Sequence, residues 1–249
     1  MKQYGLIGYP LAHSFSKRFF TEKFEKEGIN ASYENFEIEK IDRFTEVVEN
    51  NPELTGLNVT IPYKEQVIPY LGELDQAARE VGAVNTVKIK RSGKRIRLKG
   101  LNTDTHGFET SLIPLLKPFH KKALILGTGG ASKAIKYVLK KRSIEFTSAS
   151  IEELKADEIR YEAITGQVMA DRLLIINATP LGTYPRVDSC PPIPYQYITR
   201  KHLLFDLVYN PEVTQFMKEG KSRGATVKNG YEMLLQQALR SYEIWNSPG

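Results

Sequence analysis

The stretch ALILGTGGASKA, residues 123–134, passes from an apolar run through three glycines into a helical pattern. A short apolar run bounded by a turn reads as a strand buried on both faces, the habit of a parallel sheet. Gly127, Gly129 and Gly130 stand where that strand must turn into the helix. Glycines there permit a tight turn and let a pyrophosphate approach backbone N–H groups at the helix N-terminus, where the helix dipole favours negative charge. Ser132 takes the third position of the G-x-G-x-x-G fingerprint and is small enough for close helix–sheet packing. An ordinary βα turn is the bland alternative. With strand and helix both in place, the spacing points to dinucleotide binding and is silent about the reaction.

Working outward, strand-like runs alternate with helical patterns on both sides of this turn. Upstream, QYGLIGY is followed by FSKRFFTEKFEKEG, with Phe15, Phe19, Phe20 and Phe24 at helical spacing, then ASYENFEI, IDRFTEVVEN and LTGLNVTI. NVTIPYK (Asn58–Lys64) reads as a strand end followed by a Pro-started helix, with a helical pair across YKEQVIPYLGELDQAAREVG. The rhythm breaks at NTVKIKRSGKRIRLKGL, where two short strands flank Arg91-Ser92-Gly93-Lys94, a β-hairpin signal. Downstream, DTHGFETSLIPLLK reads as a helix, SIEFTS, LLIINA, LLFDL and ATVK as strands, DSCPPIPYQY as a loop, and GYEMLLQQALRSYEIW as an amphipathic last helix. The expected fold is α/β with two α/β domains. The expected boundary falls near Asn102, between a first unit with a mostly parallel sheet and a second built on the dinucleotide turn.

Composition bounds the function. The 249 residues are 41 % hydrophobic and 26 % charged, as in an average soluble globular protein with a sizeable core. One cysteine, Cys190, excludes an internal disulfide and a CxxC zinc site, and His13, His106, His120 and His202 lack metal-ligand spacing, so no metal is expected. The net charge of +6 is modest and its cations are dispersed, which argues against nucleic acid and suits small anionic ligands. No signal peptide and no membrane span are expected, so the expected location is the cytoplasm.

Short polar motifs cluster where strands end, the place where open α/β sheets bind ligands. GYPLAHSFS carries Ser14 and Ser16, NVTIPYK carries Asn58, Thr60 and Lys64, and GAVNT and GLNTDTHGF carry Asn85 and Asp104. Singly each has a dull explanation: Ser14 and Asp104 as helix N-caps, Asn85 as a turn residue, His106 as a surface group on a first helical turn. The second strand of the dinucleotide unit ends in FTSAS, with neither acid nor arginine at 147–150. Thr147, Ser148 and Ser150 offer hydroxyls to a 2′-phosphate, and Lys133 or Arg142 offers charge, which leaves NAD against NADP open.

Taken together the motifs resemble the shikimate dehydrogenase family. Its patterns G-N-P-x-x-H-S-x-S, N-V-T-x-P-x-K, G-A-V-N-T and N-T-D-G-x-G-F are matched in order by GYPLAHSFS, NVTIPYK, GAVNT and NTDTHGF, and later ones by GTGGASKA, NATPLGTYP, FDLVYNP and NGYEMLLQQA. The resemblance implies reversible NADPH-dependent reduction of 3-dehydroshikimate to shikimate in aromatic amino acid biosynthesis, with residues 1–102 as the substrate-binding domain, 103–235 as a Rossmann-like NADP-binding domain and helix 236–249 packing back on the first. It makes Lys64 and Asp104 the catalytic pair, gives the substrate carboxylate to Ser14 and Ser16 and the ring hydroxyls to Thr60, Asn85 and Gln237, and places Tyr209 near the substrate. For NADP it implies Gly127, Thr128, Gly129, Gly130, Ala131, Ser148, Thr179 and Gly230. The chemistry agrees: hydride transfer to a ketone puts negative charge on oxygen, so a proton donor or cation must stand beside it. Whether Lys64 moves the proton or only polarises the substrate stays open.

The chain departs from the family at Tyr9, Lys17, Phe20-Thr21 and Thr105-His106, which alter the rim of the site. The largest departure is Ser148-Ala149-Ser150, where the family carries Asn-Arg-Thr and clamps the 2′-phosphate with arginine. Loss of one charge-assisted contact predicts NADPH binding weaker by about 1.5–3 kcal/mol, or use of NAD as well. The alternatives are a quinate/shikimate dehydrogenase with relaxed cofactor use and a non-catalytic dinucleotide-binding paralogue; the intact Lys64 and Asp104 argue against the latter. A monomer or homodimer is expected.

Overall fold

A computed structural model describes residues 1–11, 14–93, 95–152 and 154–248. The chain divides into two compact units, Met1–Thr103 with Ala238–Gly249, and Asp104–Gln237.

The first unit runs β1 (Lys2–Gly8), α1 (Phe15–Glu27), β2 (Ala31–Glu37), α2 (Phe44–Asn50), β3 (Leu54–Val59), β4 (Glu73–Leu74), α3 (Gln76–Val81), β5 (Thr86–Ser92) and β6 (Arg95–Leu101). α1 begins because the Ser14 side chain accepts the Lys17 N–H, and it stops at Gly28, whose φ of 64° only glycine adopts freely. Its Phe20 and Phe24, four residues apart, are buried on the sheet. The strands form one sheet in the order β2-β1-β3-β5-β6-β4. β1 is parallel to β2 and β3, β5 is antiparallel to β3, and the expected hairpin, turning at Gly93, makes β6 antiparallel to β5.

The Pro-started helix expected after NVTI is a correction: residues 61–67 are successive turns, followed by a 3₁₀ turn at Ile68–Tyr70. Side-chain anchoring wins over helical spacing here. Tyr63 is buried with its hydroxyl donating to the Ile38 carbonyl at 2.6 Å, and Val67 is buried beside it. Two prolines, Pro62 and Pro69, also remove the N–H groups that a helix through this segment would use.

The second unit runs α4 (Asp104–Leu112), β7 (Lys122–Leu126), α5 (Gly130–Lys141), β8 (Glu145–Ser150), β9 (Glu158–Arg160), α6 (Gly166–Asp171), β10 (Leu174–Asn177), β11 (Leu203–Asp206), α7 (Gln215–Ser222) and β12 (Thr226–Lys228). All strand pairs are parallel, in the order β12-β11-β10-β7-β8-β9. The order reverses between β7 and β10, the switch point of a Rossmann-type sheet, and the glycine turn follows β7. Both faces are covered, Ile125 packing with Ile135 and Val138 of α5 and Leu124 with Phe216 of α7. β9 was not foreseen; the segment 151–157 joining it to its parallel neighbour β8 is shorter than the dozen or so residues of a helical crossover.

The last helix, α8 (Tyr231–Asn246), contributes its residues up to Gln237 to the second unit and those from Ala238 to the first. Within the first unit Trp245 stacks on Tyr4 with ring centroids 4.9 Å apart and donates its Nε1–H to the Val87 carbonyl at 3.1 Å. Within the second, Met233 packs beside Phe108.

Candidate active site

In the first unit the C-terminal end of β3 carries Asn58, with Thr60 and Lys64 in the turn that follows, and Asn85 stands just before the start of antiparallel β5. Thr60 donates its N–H to the Ile7 carbonyl and accepts the Tyr63 N–H, both at 2.9 Å. Its methyl fills the space over Gly8, where a Cβ would lie 2.5 Å from it. Lys64 is half-buried in the turn, its carbonyl accepting the Val84 N–H at 2.7 Å. The backbone under the lysine is thus fastened on both sides, by Tyr63 and by Val84.

Asn58 and Asn85 belong to one buried hydrogen-bond network. Tyr33 donates its hydroxyl to Asn58 Oδ1 at 2.8 Å, and Asn58 Nδ2 donates to Ser241 Oγ at 3.0 Å. Ser241 meets Thr86 Oγ1 at 2.7 Å and Thr103 Oγ1 at 3.1 Å. Asn85 Oδ1 accepts the Thr103 N–H at 2.7 Å while its Nδ2 donates to Thr103 Oγ1 at 3.0 Å. Burial pushes the Tyr33 phenol up, and a hydrogen bond with Ser16 opposes that shift. Each member satisfies another, so the network is a rigid floor rather than a set of unpaired groups. Ser241 was missed by sequence reading because its partners are far away in the chain and only the fold brings them together.

Ser14 caps α1, as its dull reading expects, accepting the Lys17 N–H at 3.1 Å. A capping serine uses an oxygen lone pair and keeps its O–H for a second partner such as a carboxylate. His13 lies outside the described residues. Asp104 is the first residue of α4 and not its N-cap, a correction; the helix dipole there favours its carboxylate. His106 is half-buried on the same turn. His120 and His202 fasten loops: each Nδ1 accepts a backbone N–H, Lys117 at 3.0 Å and Thr199 at 2.9 Å, and burial lowers both pKa values. No His, Cys, Asp and Glu group suited to a metal occurs among the described residues.

The second unit builds the glycine turn. Gly127 has φ +99°, and a Cβ on it would sit 2.8 Å from Thr179 Cγ2, so both conformation and space require glycine. Beyond its own chain neighbours and helix backbone, a Cβ on Gly129 or Gly130 would meet no atom of the described residues within 4 Å. Protein packing therefore leaves those two glycines unexplained, whereas close approach of a phosphate to the start of α5 accounts for them. Ser132 is buried and donates to the Gly129 carbonyl at 2.7 Å. Across the switch point Thr179 donates to Asn177 Oδ1 at 2.6 Å, and Asn177 Nδ2 donates to Asp206 Oδ1 at 2.9 Å. Thr214 Oγ1 donates to Asp206 Oδ2 at 2.5 Å, and burial pushes the Asp206 carboxyl up to about 6. The turn, the open glycines and the polar switch point fit a dinucleotide.

Other expected cofactor residues fall less simply. Ser148 is fully buried within β8, and its Oγ has no hydrogen-bond partner among the described residues. Gly230 is demanded by packing, since a Cβ would lie 2.1 Å from the Leu207 carbonyl. Thr147 accepts from Arg172 at 2.9 Å. Arg142 ends α5 and pairs with Glu109 at 2.7 Å, at the opposite end of the helix from the glycines; as a source of charge for a 2′-phosphate it is corrected. Ser14, Ser16, Thr60, Lys64 and Asn85 belong to the first unit, and Asp104, Tyr209 and Gln237 to the second. Tyr209 is exposed, and Gln237 is buried with its Nε2 donating to the Leu234 carbonyl at 2.8 Å.

Known proteins carry the same plan. The model of the shikimate dehydrogenase substrate binding domain matches residues 6–87. A shikimate dehydrogenase (NADP(+)) of Desulforamulus reducens is 36 % identical over 97 % of this chain and 88 % of its own. The chain belongs to the shikimate dehydrogenase family. The Thermus thermophilus shikimate 5-dehydrogenase solved in complex with NADP(H) and shikimate superimposes with TM-score 0.85 at 29 % identity, covering 99 % of this chain and 94 % of that one. The Listeria monocytogenes family member solved with shikimate and NAD has TM-score 0.87 at 27 % identity, over 98 % and 91 %. Family members of one fold have thus been solved with either dinucleotide.

Proposed function

We propose that this chain is a shikimate dehydrogenase that reduces 3-dehydroshikimate to shikimate reversibly with NADPH. The observation that carries the reading is the pairing of two features in one chain of this family. NVTIPYK holds Lys64 on a turn anchored through Tyr63 and Val84, and GTGGASKA builds a dinucleotide turn at a Rossmann switch point.

In this reading Ser14 and Ser16 hold the substrate carboxylate, and Thr60, Asn85 and Gln237 the ring hydroxyls, with Tyr209 beside the ring. Lys64 faces the reacting oxygen and stabilises the charge that develops there, and Asp104 is the other member of the catalytic pair. Gly127 to Ala131 and Thr179 hold the cofactor, with Ser148 and Gly230 nearby. NADPH supplies the hydride when bound, and NAD serves as the lesser alternative. The protein acts on a small molecule, in the cytoplasm, as a monomer or homodimer. No described helix is long and apolar enough to cross a membrane.

Shikimate oxidation with NADP and with NAD, measured on wild type and Lys64→Ala, tests the reading. The expected loss of kcat in the variant is at least ~10²-fold, the low end for a general acid–base group. A folded, cofactor-binding Lys64→Ala enzyme at near wild-type rate would refute the role of Lys64.

A further inference from the structure

The strand register places a cation at the end of β8 that reading along the sequence does not. β8 continues through Ser150, where it pairs with Arg160, the last residue of β9. Cα partners in parallel strands present their side chains to the same face. That face is the α5 face: Ser148, two residues before Ser150, pairs with Ile125, which packs on α5. Ala149 points the other way and is fully buried with Leu124 and Leu126, so position 149 offers core and not rim.

Arg160 is exposed, and its Nη1 donates to the Ile151 carbonyl at 2.8 Å. This bond lays the guanidinium across the backbone leaving β8. Ser150 Oγ accepts the Glu152 N–H at 3.1 Å and keeps its own O–H to donate. Glu152 and Glu162 are exposed, and neither forms an ion pair with Arg160 among the described residues. In a Rossmann unit the end of the second strand is where the adenosine ribose is read, an acid there favouring a 2′-hydroxyl and an arginine a 2′-phosphate. A guanidinium whose remaining donors meet no carboxylate among the described residues matches a phosphate in charge and fork geometry.

We propose that Arg160, reaching over from β9 with the Ser150 hydroxyl beside it, is the 2′-phosphate recognition residue and sets the preference for NADPH over NADH. The proposal rests on the dinucleotide reading above. It replaces the expectation, drawn from Ala149 alone, that NADPH is held weakly. The cation is supplied by the neighbouring strand, which the short 151–157 connection brings level with Ser150.

Calorimetric titration of the full chain with 2′,5′-ADP, 5′-AMP, NADPH and NADH tests this without turnover. Wild type is expected to bind the two 2′-phosphorylated ligands more tightly than their counterparts. Arg160→Gln should weaken 2′,5′-ADP and NADPH by about 10- to 100-fold while changing 5′-AMP and NADH by less than ~2-fold, the second pair reporting that the fold is intact. Arg160→Lys, which keeps charge and loses the fork, should fall between. An unchanged ratio of NADPH to NADH affinity in Arg160→Gln overturns the proposal. So does a wild type that prefers NADH and loses that preference in Glu152→Gln, which would make the acid the ribose reader. Binding of neither dinucleotide by wild type would refute the dinucleotide reading itself, an outcome distinct from the first two.

Discussion

Gly56→Ala is a small change with a large expected consequence, because of what lies over Gly56. This residue sits on β3 opposite Tyr4 of β1, and the indole of Trp245 covers it. A Cβ there would lie 2.3 Å from Trp245 Cδ1 and 2.4 Å from Nε1. To reach an ordinary carbon contact of about 3.5 Å the indole must move by more than ~1 Å. That movement breaks the 3.1 Å bond to the Val87 carbonyl and disturbs the stack on Tyr4. Overpacking costs about 1–3 kcal/mol and a lost hydrogen bond about 1, so a total of about 2–4 kcal/mol is expected. On a domain stability of about 5–15 kcal/mol this is a large fraction. Ser241 stands one turn before Trp245 on the same face of α8, so the displacement also strains the network at Asn58, Thr86 and Thr103. Trp245 is the single tryptophan, so its emission reports this one position. Urea unfolding followed by far-UV circular dichroism should show the loss of stability, emission should shift to the red, and shikimate affinity should fall. A variant with wild-type midpoint and unchanged emission would refute the packing argument.

Three further predictions address the rest of the molecule. Asp206 is held up at about 6, so its contribution to stability is full below its ordinary value near 3.8 and is lost as pH rises through about 6. The difference in unfolding free energy between wild type and Asp206→Asn should therefore fall by about 3 kcal/mol between about pH 4 and pH 7; parallel pH profiles would contradict this. Gly127→Ala, forced to φ +99° against Thr179, should lower stability by about 1–3 kcal/mol, whereas Gly129→Ala should stay within about 1 kcal/mol and still weaken dinucleotide binding. Equal stability losses would refute the distinction. Ser241→Ala removes the shared partner of Asn58, Thr86 and Thr103 and should cost about 1–3 kcal/mol in urea titration; a neutral result would mean that the network repairs itself.

Local pattern determined much of this protein. The apolar run and glycines of 123–134 prescribe strand, turn and helix because each requirement is met by neighbouring residues, and the hairpin about Gly93 is legible for the same reason. The ordered motifs from GYPLAHSFS to NGYEMLLQQA were enough to point to the family. Segments governed by distant partners were not legible. The chain from Ile61 to Val67 turns instead of coiling because Tyr63 reaches Ile38, and Gly56 is glycine because Trp245, far along the chain, lies on it. Ser241 joins the floor of the site only through the return of α8. β9 and the place of Arg160 opposite Ser150 depend on strand register, which no local pattern carries. Sequence spacing determines which residues share an element; only the tertiary fold decides which elements share an edge, since hydrogen bonds and burial between them act irrespective of separation along the chain.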